Sequence, residues 1–137
     1  MLRCVNCGGG VAMIFDTDVL IWCFRGNGRA SLIIDDCDER YISAVTLMEL
    51  HQGARNKGEQ KAIGQFVRDL EFRVLPIDEN ISHRACIYVE EFCLKASMQL
   101  ANALIAATSV EHGETLCTAS RNHYKAVSEL SMKVFKP

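Results

Sequence analysis

The stretch MIFDTDVLIW, residues 13–22, decides how the rest of the chain is interpreted. Its first three residues form an apolar run too short for a helix, and a second apolar run follows Asp16, Thr17 and Asp18. This pattern predicts a buried strand that leads directly into a helix. The carboxyl end of such a strand is where open α/β sheets bind ligands, so Asp16 is the first candidate site residue. The alternative is that Asp16 and Asp18 serve only as turn and N-cap residues.

The composition excludes several classes of protein. A chain of 137 residues with 49% hydrophobic residues is expected to form one domain with a core of its own. Fifteen Lys and Arg against seventeen Asp and Glu give a formal charge of −2, so any contact with nucleic acid must be local. Seven irregularly spaced Cys residues fit reduced thiols in the cytoplasm, where we expect the protein. The sequence predicts no membrane span.

Residues 1–12, MLRCVNCGGGVA, differ from the rest and are predicted to be a flexible N-terminal extension to a domain at 13–137. Cys4 and Cys7 form a C-x-x-C pair, but a zinc site needs about four ligands and no second pair follows at a suitable spacing. An extension is therefore favoured over a metal site, with Met13 as a candidate functional start.

Apolar patterning along the chain predicts strands that alternate with helices. Strands are predicted at 41–43, 72–77, 115–118 and 133–135, and helices at 31–37, 44–55, 58–70, 79–96 and 100–112. Asp78 is suited to cap the fourth of these helices, and Gly113 to end the fifth. The alternation predicts an α/β fold with a parallel sheet of about four to five strands, covered by helices on both faces.

Two further polar residues occupy unusual positions in these helices. Glu49 lies among apolar residues of its helix, where a carboxylate is costly unless it is paired or binds a metal. The alternative for Glu49 is a surface pair with Arg55 or Lys57. Asn102 falls in the first turn of its helix, beside free N–H donors, a place that suits a carboxylate.

Four segments, taken in order and spacing, resemble the PIN-domain ribonucleases, particularly the VapC-type toxins of bacterial toxin–antitoxin pairs. They are MIFDTDVLIW, YISAVTLMEL, LANALIAATSVEHG and residues 118–124. The likeness covers residues 13–137. It implies a three-layer α/β/α fold with an acidic cluster at the carboxyl edge of the sheet, which binds Mg²⁺ or Mn²⁺ and hydrolyses RNA phosphodiesters.

The resemblance assigns roles residue by residue. Asp16 matches the first acidic ligand of the family and Glu49 the second, whereas Asn102 stands where the family has an Asp as third ligand. Ser120, two residues after Thr118, takes the fourth polar position, at which the family commonly has Asp or Asn. We therefore expect Asp16, Glu49 and Asn102 to hold the metal, and Ser120 to complete the catalytic set. Natural loss and deliberate exchange are both compatible with Asn102.

The resemblance also implies partners: an RNA substrate, a cognate antitoxin and a second copy of the chain in a homodimer. Loops and helix ends near the site would offer basic residues to RNA phosphates: Arg25, Arg29, Arg55, Lys57, Arg121, His123 and Lys125. Each of these residues is equally well explained as ordinary solvated charge.

Three classes of function follow from the sequence. The first is a metal-dependent endoribonuclease toxin impaired by Asn102, and the second is a catalytically weak relative that acts by binding antitoxin or RNA. The third class arises because Asp16-Thr17-Asp18 also resembles the nucleophile loop of haloacid-dehalogenase-type phosphatases. Those enzymes need a later acidic pair, for which Asp35-Asp36 comes too soon in the chain.

Overall fold

A five-stranded parallel sheet forms the centre of the protein, which a computed structural model describes over residues 10–137. The strands are β1 (Ala12–Phe15), β2 (Glu39–Ser43), β3 (Arg73–Leu75), β4 (Thr115–Thr118) and β5 (Met132–Val134). Their order is β3-β2-β1-β4-β5, so that Ile14 in the central strand pairs with Tyr41 on one side and Leu116 on the other. The predicted α/β class and parallel sheet are confirmed.

Within residues 10–137, six α-helices cover the two faces of the sheet. They are α1 (Thr17–Phe24), α2 (Gly28–Asp35), α3 (Ala44–Gln52), α4 (Lys57–Asp69), α5 (Glu79–Ala96) and α6 (Leu100–His112). Successive side chains of a strand point to opposite faces. Accordingly Met13 and Phe15 pack into a core with α1, α2 and α4, whereas Ile14 packs into a second core with α5 and α6. The three-layer α/β/α arrangement follows from this alternation.

Side-chain caps set several helix boundaries that differ from those predicted. The helix α2 begins at Gly28, three residues before the predicted start at residue 31, because Asn27 accepts a hydrogen bond from the Ala30 N–H at 2.9 Å. The helix α4 begins at Lys57, and Asn56 is its N-cap residue. The third helix ends at Gln52, short of the predicted residue 55. By contrast, α5 and α6 have the predicted bounds.

The first strand begins one residue earlier than predicted. Ala12 is part of β1, and Val11 exchanges hydrogen bonds with Asp38, whose backbone N–H donates to the Val11 carbonyl and whose Oδ2 accepts from the Val11 N–H, both at 2.9 Å. Cys4 and Cys7 lie outside the described residues, so the flexible extension remains a prediction. Within residues 10–137, no helix is both long and apolar enough to cross a bilayer.

Candidate active site

The strand order brings three chain segments to one edge of the sheet. The first strand lies between β2 and β4, and Asp16, α3 and Ser120 each follow the carboxyl end of one of these strands. The backbone N–H of Asp16 donates to the Cys117 carbonyl at 2.9 Å, which holds the ends of β1 and β4 together. Residues more than a hundred positions apart therefore meet at this edge.

Asp16 is the buried centre of the site, with 6% of its surface exposed. As the N-cap residue of α1 it accepts a hydrogen bond from the Thr17 N–H at Oδ1, at 2.8 Å. Its Oδ2 accepts from the Thr118 hydroxyl at 2.7 Å. Burial raises the pKa of Asp16 to about 6, and the nearby Asp18 carboxylate adds to the rise, although hydrogen bonds to the carboxylate oppose it. Asp16 is thus a cap and, at the same time, a poorly compensated buried charge.

Glu49 reaches the same place from α3. The Thr17 hydroxyl donates to Glu49 Oε1 at 2.6 Å, and the Thr17 N–H donates to Asp16. Thr17 therefore bonds both acids and links Glu49 to Asp16. The predicted alternative, a surface pair with Arg55 or Lys57, does not occur among the ion pairs of residues 10–137. Arg55 instead bonds Glu59 with an N–O distance of 3.0 Å. The inward side of α3 therefore presents a carboxylate to the site.

Asn102 is joined to the site through Tyr124. The Tyr124 hydroxyl donates to Asn102 Oδ1 at 3.2 Å, and it lies close enough to Asp16 to lower the pKa of that carboxyl. Burial raises the pKa of this fully buried tyrosine, and the Asp16 charge raises it further. From the sequence, Tyr124 is only the last residue of the fourth family-like segment, residues 118–124. Its contact with Asn102 depends on tertiary packing, for which the sequence around Tyr124 carries no local signal.

Ser120 bonds a residue that the sequence interpretation treats as a turn residue, Asp18. The Ser120 hydroxyl donates to Asp18 Oδ2 at 2.7 Å, and the Ala119 N–H donates to the same oxygen at 3.2 Å. The Ser120 N–H donates to Thr118 Oγ1 at 2.9 Å, which links it to the group that holds Asp16. The signal for Asp18 was present in the Asp-Thr-Asp pattern, two residues after Asp16.

All four predicted site residues thus lie at one edge, and their carboxylates lack cationic partners among the described residues. Within residues 10–137 the ion pairs are Arg55–Glu59, Arg84–Glu111 and Arg84–Glu129, none of which includes a site carboxylate. The buried Oδ1 of Asp18 has no hydrogen-bond partner in this range. Over the same residues, no group of three or more His, Cys, Asp or Glu side chains is placed so that it could hold a metal ion.

The donor set nevertheless fits a hard divalent cation. Carboxylate and amide oxygens are the ligands that Mg²⁺ and Mn²⁺ prefer, and Mg²⁺ is commonly held by one or two carboxylates while it keeps several waters. Asp16, Glu49 and the carbonyl oxygen of Asn102 meet that requirement. A buried acidic site with an orphaned oxygen and no ion pair within the described range is the environment in which such a cation would be stabilising.

The surroundings of the site include basic residues. A cavity of about 510 Å³ is lined by Glu49 together with Arg25 and Arg55. A short 3₁₀ helix, Arg121–His123, follows Ser120 and exposes its side chains. The Asp35-Asp36 pair lies before β2, at the opposite edge of the parallel sheet from Asp16, which argues against the phosphatase interpretation.

Comparison with known proteins agrees with this geometry. The family model described as PIN domain matches residues 13–129. A toxin–antitoxin complex from Klebsiella pneumoniae has a chain that is 25% identical, with a TM-score of 0.71 over 86% of this chain and 94% of that one. FitAcB from Neisseria gonorrhoeae is 23% identical, with a TM-score of 0.70 over 88% and 95%. DNA-bound VapBC from Salmonella typhimurium is 17% identical, with a TM-score of 0.77 over 90% and 98%.

None of the curated protein sequences compared matches the chain significantly. The family model nevertheless spans most of the chain, and the solved structures share its fold over nearly their whole lengths. The chain therefore belongs to the PIN-domain family, and its resemblance to the VapC-type toxins is confirmed.

Proposed function

We propose that the protein is a VapC-type toxin, a Mg²⁺- or Mn²⁺-dependent endoribonuclease that hydrolyses RNA phosphodiester bonds and is impaired by Asn102. The observation that carries this proposal is the buried Asp16 carboxylate, connected to Glu49 and Asn102 and free of ion pairs with any described residue. A carboxylate kept in such surroundings is a functional-site candidate, because burial without a partner costs stability.

Each residue of the site has a task that its contacts explain. Thr17 N–H and the Thr118 hydroxyl hold the Asp16 carboxylate in one orientation. The Thr17 hydroxyl orients Glu49, and Tyr124 fixes the amide of Asn102. Asp16, Glu49 and Asn102 would hold a divalent cation through these oxygens, and the cation would supply an activated water and neutralise charge on the scissile phosphate. The role of the protein is then to position the donors before substrate arrives.

Asn102 weakens this site by removing a charge. Its carbonyl oxygen is still a ligand, but a full charge about 4 Å from a cation is worth roughly 4 kcal/mol at a surface-like dielectric, before desolvation is subtracted. We therefore expect weak metal binding and slow cleavage in the present chain. Ser120, in place of an acid or amide, adds to the deficit.

The proposed partners are a cognate antitoxin, RNA and a second copy of the chain, in the cytoplasm. The antitoxin is supported by relatives whose solved structures are toxin–antitoxin complexes, such as that from Klebsiella pneumoniae. Binding of RNA phosphates is assigned to basic residues around the site, of which Arg25 and Arg55 line the cavity beside Glu49.

A second candidate is a catalytically weak protein that binds antitoxin or RNA without cutting. One observation favours it: the Asn102 oxygen already accepts the Tyr124 hydroxyl, so the amide is satisfied without a cation.

The two candidates are separated by Asn102→Asp, measured by Mn²⁺ calorimetry and by cleavage of a labelled RNA. A metal-dependent nuclease should bind Mn²⁺ about tenfold more tightly and cut faster, because the lost charge returns. Adding Asp16→Asn should abolish both gains, which excludes a contaminating nuclease, and EDTA should stop cleavage. If Asn102→Asp folds but changes neither measurement, the binding-only function replaces the enzyme.

A further inference from the structure

The cavity of about 510 Å³ beside the candidate active site lies between α1, α3 and α4. Glu49 is part of its lining, and the Thr17 hydroxyl ties this carboxylate to the site at 2.6 Å. A volume of several hundred Å³ is typical of sites that hold an organic ligand. The proposed function uses the arginines of this cavity for phosphates but gives the rest of its lining no role.

The apolar part of the lining comes from all three helices, through Ile21 and Phe24 of α1, Leu50 of α3 and Ile63 of α4. Phe24 remains 39% exposed, although an aromatic side chain gains from burial. Its ring packs edge-to-face against Phe66, with the ring centroids 5.4 Å apart and the planes at 77°. An aromatic ring that is fixed by a neighbour and still accessible from a cavity is a surface on which a nucleobase can stack.

A cation lies directly beside this ring in the chain. Arg25 follows the last residue of α1, is exposed and lines the same cavity. Within residues 10–137 it forms no ion pair, whereas Arg55 on the same cavity is bonded to Glu59. An exposed guanidinium without a carboxylate partner is suited to bind a phosphate, because its N–H groups match the phosphate oxygens.

The lining therefore matches a ligand that has both a flat apolar ring and a negative charge. Each nucleotide of RNA has this combination, whereas a peptide would need an acidic side chain at one fixed place to reach Arg25. A strand that brings a phosphodiester to Glu49 also brings the neighbouring nucleotide to the cavity that Glu49 lines. A base inside a duplex is paired and stacked, so only an unpaired base can enter a space between three helices.

We propose that this cavity binds one unpaired nucleotide of RNA, with its base on Phe24 and its phosphate on Arg25, next to the phosphodiester at Glu49. This inference rests on the proposed function and deepens it, because it assigns the substrate to RNA that is single-stranded at the site. Phe24 is then a residue that determines specificity and takes no part in the chemical step.

The test is the binding of a short fluorescein-labelled RNA to the full chain in EDTA, measured by fluorescence anisotropy. The RNA is used as a single strand without self-complementarity and as a duplex with its complement, and EDTA prevents metal-dependent cleavage. Phe24→Leu removes the ring and keeps an apolar side chain. Trp22→Leu is the matched control, since Trp22 is 40% exposed on the same helix and is not part of the lining.

The charge is tested in the same way with Arg25→Gln. Its matched control is Arg68→Gln, because Arg68 is exposed on α4 outside the lining and the change in net charge is the same. We expect Arg25→Gln to weaken binding of the single strand about threefold and to lower its dependence on salt by about one phosphate contact. Arg68→Gln should stay within about twofold.

We expect Phe24→Leu to weaken binding of the single strand about tenfold, because base stacking is lost, and Trp22→Leu to stay within about twofold. Phe24→Tyr keeps the ring and should bind as the native chain does. The duplex should bind more weakly than the single strand and should not respond to Phe24→Leu. Melting curves establish that each variant is folded, and Phe24→Met is a second variant without a ring if Phe24→Leu fails to fold.

The outcomes distinguish this inference from the proposed function. Equal binding of the single strand by Phe24→Leu and Trp22→Leu refutes the nucleotide site and favours a protein occupant for the cavity. Binding of the duplex as tightly as the single strand, or of neither RNA by the native chain, also refutes it. The nuclease is decided separately by Mn²⁺ binding and cleavage with Asn102→Asp, so that either proposal can fail while the other stands.

Discussion

Two groups of charged side chains hold the loop between β4 and β5, and they differ in charge balance. At the start of the loop, Ser120 contacts Asp18, and Tyr124 contacts Asn102 beside Asp16. Near its end, Glu129 accepts hydrogen bonds from Arg84 and Tyr88, and Arg84 also pairs with Glu111. In the second group one arginine pairs with two glutamates. In the first group no acid forms an ion pair with a basic side chain of residues 10–137.

The difference in ion pairing indicates that the two groups have different roles, one in stability and one in function. In the Arg84 group each carboxylate has a cationic partner, although one arginine is shared by two glutamates, so the group ties α5 and α6 to the loop at little electrostatic cost. In the Asp16 group the protein retains buried acids whose removal should improve stability. Residues that lower stability and are nevertheless placed by several hydrogen bonds are expected at functional sites.

The largest expected effect is that of Asp16→Asn on metal binding. Loss of the central carboxylate should weaken Mn²⁺ affinity by on the order of a hundredfold. The same change should raise the melting temperature of the metal-free protein at pH 8, because a buried charge disappears while Thr17 N–H keeps an acceptor. Calorimetry and thermal melts in EDTA measure the two effects. If Asp16→Asn melts at a lower temperature and binds Mn²⁺ normally, Asp16 is a stabilising residue like those of the Arg84 group, and the difference between the two groups is refuted.

The second prediction concerns pH in the metal-free protein. The pKa of Asp16 is about 6 in the fold against a reference of 3.8, so the folded state binds the proton more tightly. The contribution of Asp16 to stability is therefore complete below about pH 4 and is lost as the pH rises through 6.

The stability gained by Asp16→Asn should accordingly grow from near zero at pH 4 to about 3 kcal/mol at pH 8. Urea unfolding of both proteins in EDTA across this range provides the measurement, and the difference between them cancels the other titrating groups. A gain that is constant with pH would show that Asp16 is not a strained charge.

Arg84→Met tests the compensated group. It removes the shared cation and leaves Glu111 and Glu129 unpaired, with an expected loss of about 1 kcal/mol, since the Arg84 side chain is about one-third exposed. Mn²⁺ affinity should change by less than about threefold, as no site carboxylate touches Arg84 within the described residues.

Arg55→Met is the matched control for this variant. It breaks an ion pair in which the Arg side chain is 84% exposed, so its effect on urea unfolding should be close to zero. Equal losses for Arg84→Met and Arg55→Met would mean that the Arg84 group does not stabilise the loop.

The smallest expected effect is that of Tyr124→Phe. Removal of the hydroxyl deprives Asn102 Oδ1 of its donor at 3.2 Å, and we expect a loss of about 0.5 kcal/mol in urea unfolding. Tyr41→Phe is the control, because the Tyr41 hydroxyl makes a longer hydrogen bond, to Glu39 Oε1 at 3.4 Å. A loss of several kcal/mol in the free energy of unfolding of Tyr124→Phe would contradict this, and would show that the tyrosine, and not the acids, organises the site.

Much of the fold was predictable because its signals are local. The helix α5 begins after Asp78, whose side chain accepts from the Ile81 N–H at 2.8 Å, and α6 ends at Gly113, which has a φ of 63°. A cap is decided by neighbours in the chain, so a sequence pattern predicts it well. The boundaries of α2 and α3 were less accurate, because several nearby residues can end a short helix.

By itself the sequence determined the order of strands and helices, and the acids Asp16 and Glu49 through their placement at a strand end and inside an apolar helix. Only the tertiary structure decided that Asp18 bonds Ser120, that Tyr124 bonds Asn102, and that the site acids lack cationic partners within residues 10–137. The physical reason is distance along the chain. Asp18 and Ser120 are 102 residues apart, and their contact exists only once β1 and β4 pair side by side.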